Sequence, residues 1–434
     1  MARFGPLTRR LALFVLASAL GTNLVLAAAG QRTALADTSL FLRGMQGVDS
    51  WRPMAQAYAL ATQEPAQPIY QRLFYQLRVK YIYPPTALLL YRALDAGVPR
   101  DAWRAALNAL SWLCVALAIG FSAALLDRAL QRAAPPATPE ERAARIALVT
   151  LFGVCFYPLV KAYTLGQMQV VVNACFAAFL WCWLTGRRVA AGVLVAAMAA
   201  VKPQYGLFAL WGLVRGEWRF TAAAAAAGLA LLALSVASFG LADHLDYLRV
   251  LSHVGRHGEA FWPNQSVNGF LQRLLGNGES SAWNPAVYPP YHPVVYVGTL
   301  VTSVALLAAG LFAPPRTAKS GDALDLAGFA LALTLATPLA WEHHFGVLLP
   351  ILALLLAASL EWRTWGAATW PVLALCAWVA SNYWDVLGRL SGTVWNPLQS
   401  LLFFAALALL ALLIGARRGV TSSPSLSPSR VTHR

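Results

Sequence analysis

Long apolar runs recur along almost the whole chain, broken mainly by short connections that carry many of its arginines. A helix crosses the hydrocarbon core of a bilayer with about 20 consecutive apolar residues, and a dozen such runs cannot share one water-soluble core. The runs lie at 11–29, 103–126, 144–162, 167–185, 189–201, 204–214, 221–239, 294–313, 323–340, 344–360, 366–384 and 396–415, with a weaker one at 82–97. Of the 434 residues, 59% are hydrophobic and 12% charged, against roughly 25% charged in a soluble domain. The sequence therefore predicts an all-α, polytopic transmembrane bundle of about twelve spans. Residues 1–418 form one membrane domain, and the Ser/Pro-rich 419–434 form a disordered cytoplasmic tail.

The net charge of +15 is spread through the loops, which is the positive-inside pattern rather than a nucleic-acid face. Arg9, Arg10, the run Leu11–Ala29 and Ala34-Leu35-Ala36 imitate a cleaved signal peptide. That run exceeds the usual signal core of roughly 7–15 residues, so an uncleaved first span with a cytoplasmic N-terminus is expected. Arg128, Arg132, Arg142 and Arg145, Arg187 and Arg188, Arg215 and Arg219, Arg316 and Lys319, Arg363, and Arg417 and Arg418 each ask for the cytoplasm. All are satisfied if 82–97 does not cross and the other twelve runs do. In the alternative, 82–97 crosses and 189–214 is one broken helix, which leaves Arg187 and Arg188 outside. The preferred topology returns the C-terminus to the cytoplasm and puts two long polar segments, 31–80 and 240–293, on the outer face with interfacial helices in them. Chemistry is expected there, in the inner or plasma membrane.

Ionisable groups at the ends of apolar spans are costly and are functional candidates. Asp49, in Gly47-Val48-Asp49-Ser50-Trp51, has two readings: a shielded carboxylate within reach of substrate, or a helix N-cap. Lys202 directly precedes Pro203, which ends or kinks its helix; it pairs with a lipid phosphate or snorkels to the interface. Glu342, His343 and His344 stand between two apolar runs, where an imidazole binds phosphate or orients a carboxylate. Adjacent histidines give poor bidentate geometry for a metal. His253 and His257, with Glu259 nearby, have the spacing of a zinc helix, which Gly255 and Gly258 weaken. Asn264-Gln265-Ser266 matches a glycosylation acceptor pattern, but nothing else suggests a eukaryotic secretory protein. Cys114, Cys155, Cys175, Cys182 and Cys376 lie inside apolar runs and form no CxxC pair, so they read as small core residues. With no Walker loop, dinucleotide fingerprint or nucleophile elbow, ATP and NAD chemistry are unsupported.

The order of these motifs resembles glycosyltransferase family 87, the polyprenyl-phosphate-mannose-dependent mannosyltransferases of the GT-C superfamily. The resemblance covers about residues 10 to 415. It is carried by Asp49, Tyr81-Ile82-Tyr83-Pro84-Pro85, Leu165-Gly166-Gln167-Met168-Gln169, Val201-Lys202-Pro203-Gln204, Trp262-Pro263-Asn264-Gln265-Ser266 with Gly269 and Arg273, and Thr337-Pro338-Leu339-Ala340-Trp341-Glu342-His343-His344. It implies a hexosyltransferase that moves a sugar, mannose in this family, from a polyprenyl-phosphate donor to a glycolipid or glycan acceptor with inversion, among membrane lipids and without a cofactor or metal. It further implies Asp49 as general base and His343 and His344 as catalytic groups. Lys202, Gln167, Gln204, Asn264, Gln265 and Glu342 would bind the donor's phosphate and sugar. The family often has Asn two residues after its Gly-Gln, where this chain has Gln169, with Asn173 four further on. The sequence around Asp49 also departs from the pattern, leaving Asp37 as an alternative base.

A polytopic secondary transporter, or carrier of a lipid-linked substrate, is the rival reading, since about twelve spans with both termini inside suit a transporter too. Transporters place polar groups near the midplane at a repeat interface, whereas here they gather at outer span ends and no internal repeat is visible.

Overall fold

The computed structural model describes residues 5–64, 67–133, 136–312, 323–361 and 369–418. The expectations for Arg316, Lys319, Arg363 and the 419–434 tail lie outside these residues. The described chain is a polytopic helical bundle, and it departs from twelve straight spans in ways that build a cavity. The first helix, α1 (Pro6–Ala28), carries a wide π turn at Leu16–Gly21. Two short helices, α2 (Ala34–Leu42) and α3 (Trp51–Gln63), occupy the segment expected outside. The weak run at 82–97 becomes a 3-10 turn and the nine-residue α4 (Leu89–Gly97), about 13 Å long and too short to cross.

Next come α5 (Trp103–Ala133), then α6 (Pro139–Val154) and α7 (Tyr157–Leu165), which meet at a 49° bend. The expected single span 144–162 breaks there because Pro158 cannot continue the preceding helix. After α8 (Gln169–Leu184) and α9 (Arg188–Val201), Pro203 stops the helix and α10 (Leu207–Val214) starts back. Arg188 Nε lies 3.2 Å from an oxygen of Glu217, just before α11 (Trp218–Phe239). Arg187, Arg188, Arg215 and Arg219 therefore share one end of the bundle, so 189–214 is a hairpin and not one broken helix. Its return leg α10, about 12 Å long, does not span by itself, which corrects the expectation for 204–214.

The amphipathic α12 (Leu241–His257) turns Leu241, Leu245 and Leu248 outward and buries Tyr247, Val250 and Val254, as an interfacial helix does. Asp243 fixes it by accepting from the Ile69 amide (2.9 Å). The remaining helices are α13 (Val267–Leu274), α14 (Pro293–Phe312), α15 (Ala323–Ala336), α16 (Leu348–Glu361), α17 (Thr369–Ser381) and α18 (Leu401–Arg418). Every residue of α15 is buried, so its all-round apolarity suits the middle of the bundle. Its Asp325 meets Arg215 at 2.7 Å. Among the described residues, six helical segments are long and apolar enough to cross a membrane, and α6 with α7 makes a seventh if the bent pair is one span. Shorter apolar helices α8, α9, α15 and α17 complete the bundle.

Two backbone junctions place the polar motifs. At the first, the amides of Gly47, Asp49 and Ser50 donate to the carbonyls of Thr164 (2.9 Å), Leu165 (3.0 Å) and Gly166 (3.0 Å), satisfying acceptors that the end of α7 would otherwise leave open. Such close docking needs glycine on both sides. Gly166 has φ 72°, a Cβ on it would collide with the Gly47 carbonyl, and a Cβ on Gly47 would lie 2.8 Å from the Leu165 oxygen. At the second, Asn264 pairs antiparallel with Trp341. Gln265 N donates to the Ala340 carbonyl (2.7 Å) and Glu342 N to that of Pro263 (3.0 Å). A 3-10 turn, Glu342–Val347, then leads into α16.

Gly166→Ala is expected to lower the thermal midpoint of the purified protein and to open residues 45–50 to protease, because a left-handed non-glycine costs about 1–2 kcal/mol before the collision is counted. Gly120→Ala, in a helix with nothing within 4 Å of the added carbon, should leave the midpoint unchanged or raise it. Equal losses in the two variants would contradict the junction.

Candidate active site

Both junctions open onto one cavity of about 1270 Å³. Asp49, Gln167, Lys202, Gln204, Glu342, His343 and His344 all line it, so residues separated by almost three hundred positions come together. The loop docked on α7 presents Asp49 to the Gln167 amide, whose Nε2 donates to the carboxylate. Gln167 is itself held, since its Oε1 accepts from Ser50 Oγ (2.7 Å) and Tyr83 OH (3.0 Å). Asp49 is open to the cavity, yet the surrounding protein displaces enough water to push its carboxyl above the usual range. The Gln167 hydrogen bond and the charge of Lys161 partly offset that rise.

Asp37 is placed differently. It is buried, outside the cavity lining, and accepts from Thr164 Oγ1 (2.6 Å) while meeting Arg32 at 3.3 Å and Lys161 at 3.4 Å. A carboxylate shared among those partners orders α2 against α7.

Lys202 enters the cavity where Pro203 breaks the helix, and among the described residues no carboxylate pairs with its ammonium. It is close enough to His343 and His344 to interact electrostatically with both. The two imidazoles stand edge to face with centroids 4.7 Å apart, and Glu342 accepts from Tyr157 OH at 3.0 Å. Beneath them Gln169 donates to Asn173 (2.9 Å), and Asn173 lies so close under Gly346 that a Cβ there would clash with its amide. The departure at Gln169 thus sits in the packing under the 3-10 turn.

Asn264 and Gln265 are not brought to the cavity, which corrects the expectation that they touch the donor. Both are fully buried, and their amides hold backbone. Asn264 Nδ2 donates to the carbonyls of Glu259 (2.9 Å) and Pro338 (3.1 Å), and its Oδ1 accepts from Ala340 N (2.9 Å). Gln265 Nε2 donates to the carbonyls of Trp262 and Gln399, and its Oε1 accepts from Phe403 N. Arg273 is likewise buried and donates to the Asn264 carbonyl (2.9 Å) and Ser400 Oγ (2.8 Å). These groups fasten the second junction, and none of them is part of the cavity lining.

Sequence reasoning passed over Lys161, Ser50, Tyr157 and Lys80, which also line the cavity. A lysine inside the apolar run 144–162 was a usable signal, whereas Ser50 and Tyr157 carry none. His253 and His257 stack on each other at 4.5 Å, and His253 packs against Phe74 and Tyr288, as structural residues of α12.

Residues 81–340 match the model of glycosyltransferase family 87. That range includes Tyr83, Gln167, Lys202 and Gln204 but neither Asp49 nor the Glu342-His343-His344 turn. A curated relative, the polyprenol-phosphate-mannose-dependent alpha-(1-2)-phosphatidylinositol pentamannoside mannosyltransferase of Mycobacterium tuberculosis (strain CDC 1551 / Oshkosh), is 27% identical over 275 residues. The alignment covers 63% of this chain and 57% of that protein, little more than half of the relative's length. No solved structure matches the chain. With well over half of its residues inside the family match, the chain belongs to glycosyltransferase family 87.

Proposed function

We propose that this protein transfers a hexose, mannose, from a polyprenyl-phosphate donor to a glycolipid acceptor at the extracytoplasmic face of the inner or plasma membrane, with both termini in the cytoplasm. The observation that carries the reading is the pairing, in one cavity, of a shielded carboxylate with a cluster of unneutralised nitrogen donors. The family membership and the printed activity of the mycobacterial relative support it.

In this reading Asp49 takes the proton of the acceptor hydroxyl as that oxygen attacks the anomeric carbon. The bond from that carbon to the phosphate oxygen breaks, and polyprenyl phosphate leaves with one more negative charge than it held in the donor. Lys202 Nζ and the N–H groups of His343 and His344 stand where that charge develops, fixed before reaction and out of bulk water, the arrangement in which electrostatic stabilisation is largest. Gln167 aims the base, and Gln204 and Glu342 contact the sugar or phosphate. A single displacement with one base and no enzyme nucleophile inverts the anomeric centre. Protein cations do the work that a metal does elsewhere, so the reaction needs no cofactor and a chelator leaves the rate unchanged.

Asp49→Asn is expected to lower kcat about 10²–10⁴-fold, the usual worth of general-base catalysis. Asp37→Asn should act chiefly on stability, and a variant that loses kcat while folding normally would move the base there. Since only the deprotonated carboxyl accepts a proton, and burial raises its pKa, the rate should fall on the acid side at a pH above the ordinary carboxylate value of about 4. That limb should vanish from the residual activity of Asp49→Asn; an acid limb that persists unchanged assigns it to another group. Lys202→Gln should lower kcat/KM for the donor about 10²-fold or more, with a far smaller effect on acceptor KM.

A further inference from the structure

Away from Asp49 and Lys202 the cavity changes character. Lys80 and Glu259 both line it and form an ion pair of 2.8 Å, and the Lys80 ammonium lies over the rings of Tyr288 (4.3 Å) and Trp283 (5.5 Å), which line it too. The carboxylate is oriented twice over, because Glu259 Oε1 accepts from the amides of Ala260 (3.1 Å) and Phe261 (3.4 Å). Tyr288 OH is buried and has no hydrogen-bond partner among the described residues, an expensive state for a hydroxyl unless something else supplies the bond.

This end is tied to the reacting end by a short link. Lys80 stands three residues before Tyr83, whose hydroxyl shares the Gln167 oxygen with Ser50 beside Asp49, so at most about 11 Å of chain separates them. The charges differ in kind. Lys202 has no carboxylate partner among the described residues and suits a phosphate, whereas Lys80 is neutralised by Glu259 and does not. An orphan hydroxyl, a fixed carboxylate and ammonium, and a partly exposed indole face suit a neutral polyhydroxylated ring: planar polar groups meet its hydroxyls and aromatic faces cover its apolar C–H side.

We infer that Lys80, Glu259, Trp283 and Tyr288 form a subsite for a neutral sugar ring of the acceptor glycan, distinct from the donor-phosphate end of the same cavity. The inference rests on the transferase reading and adds the chemical class that the acceptor presents at this position. These side chains set which acceptor is bound; they do not touch the reacting atoms.

The test uses full-length protein in nanodiscs, with radiolabelled polyprenyl-phosphate-mannose as donor and phosphatidylinositol mannosides as the acceptor probe. Trp283→Ala, at a side chain already 42% exposed and so tolerable to the fold, is expected to raise acceptor KM about tenfold, with donor KM and kcat within about twofold. Trp283→Phe should recover most of that loss, and Tyr288→Phe, which removes only the unpartnered hydroxyl, should raise acceptor KM severalfold. A wild type that transfers sugar while Trp283→Ala keeps its acceptor KM, or shows its defect in donor KM, overturns the subsite alone. A wild type that transfers nothing to this probe overturns the transferase reading and the subsite with it.

Discussion

The site depends on a loop closing the end of a helix. The C-terminal carbonyls of α7 need donors, and they take the amides of Gly47, Asp49 and Ser50. That one junction fixes the carboxylate, brings Gln167 to it, and lets Ser50 and Tyr83 lock Gln167 in turn. It is possible only because neither Gly47 nor Gly166 carries a side chain, and because the 49° bend before Pro158 ends α7 beside the cavity. The second junction does the same for the histidine turn, with buried amides replacing glycines as the fastening. Both spend polar groups on backbone so that a few others can stay unpaired.

Charge is divided across the cavity in the same spirit. Asp37 and Lys80 each have an ion-pair partner in contact, while Lys202 and Asp49 have no charged partner in contact among the described residues. A charge held out of water without a counter-ion is costly, so the fold neutralises the first two, and in the proposed reaction the other pair is left open where charge would move. Asp325 and Arg215, at α15 and the end of α10, follow the structural pattern and meet each other.

The bundle was readable from the sequence because hydropathy is local: each run reports its own burial, and the arginine pairs report which ends sit together, as the Arg188–Glu217 contact bears out. Run length misled at 204–214, a return leg too short to span by itself, and it hid the bend at Pro158 inside 144–162. Lys202 and the His343-His344 pair were legible as polar groups at span ends. That Asp37 is tied to Arg32, Lys161 and Thr164 while Asp49 opens onto the cavity was not, because no local pattern encodes those contacts. Asn264 and Gln265 look like ligand amides on paper for the same reason: only their distant pairing with 338–341 and 399–403 shows that backbone uses them.

The central claim is a single displacement at the cavity, with Asp49 as base and a lipid phosphate as leaving group. The most direct measurement is the anomeric configuration of the linkage formed when purified protein in nanodiscs is given polyprenyl-phosphate-mannose and phosphatidylinositol mannosides. The account predicts a labelled glycolipid whose new linkage has the anomeric configuration opposite to that of the donor. Retention would rule out a single displacement and contradict the account. Label crossing a sealed bilayer without any glycolipid being formed would make the protein a carrier and contradict the account outright.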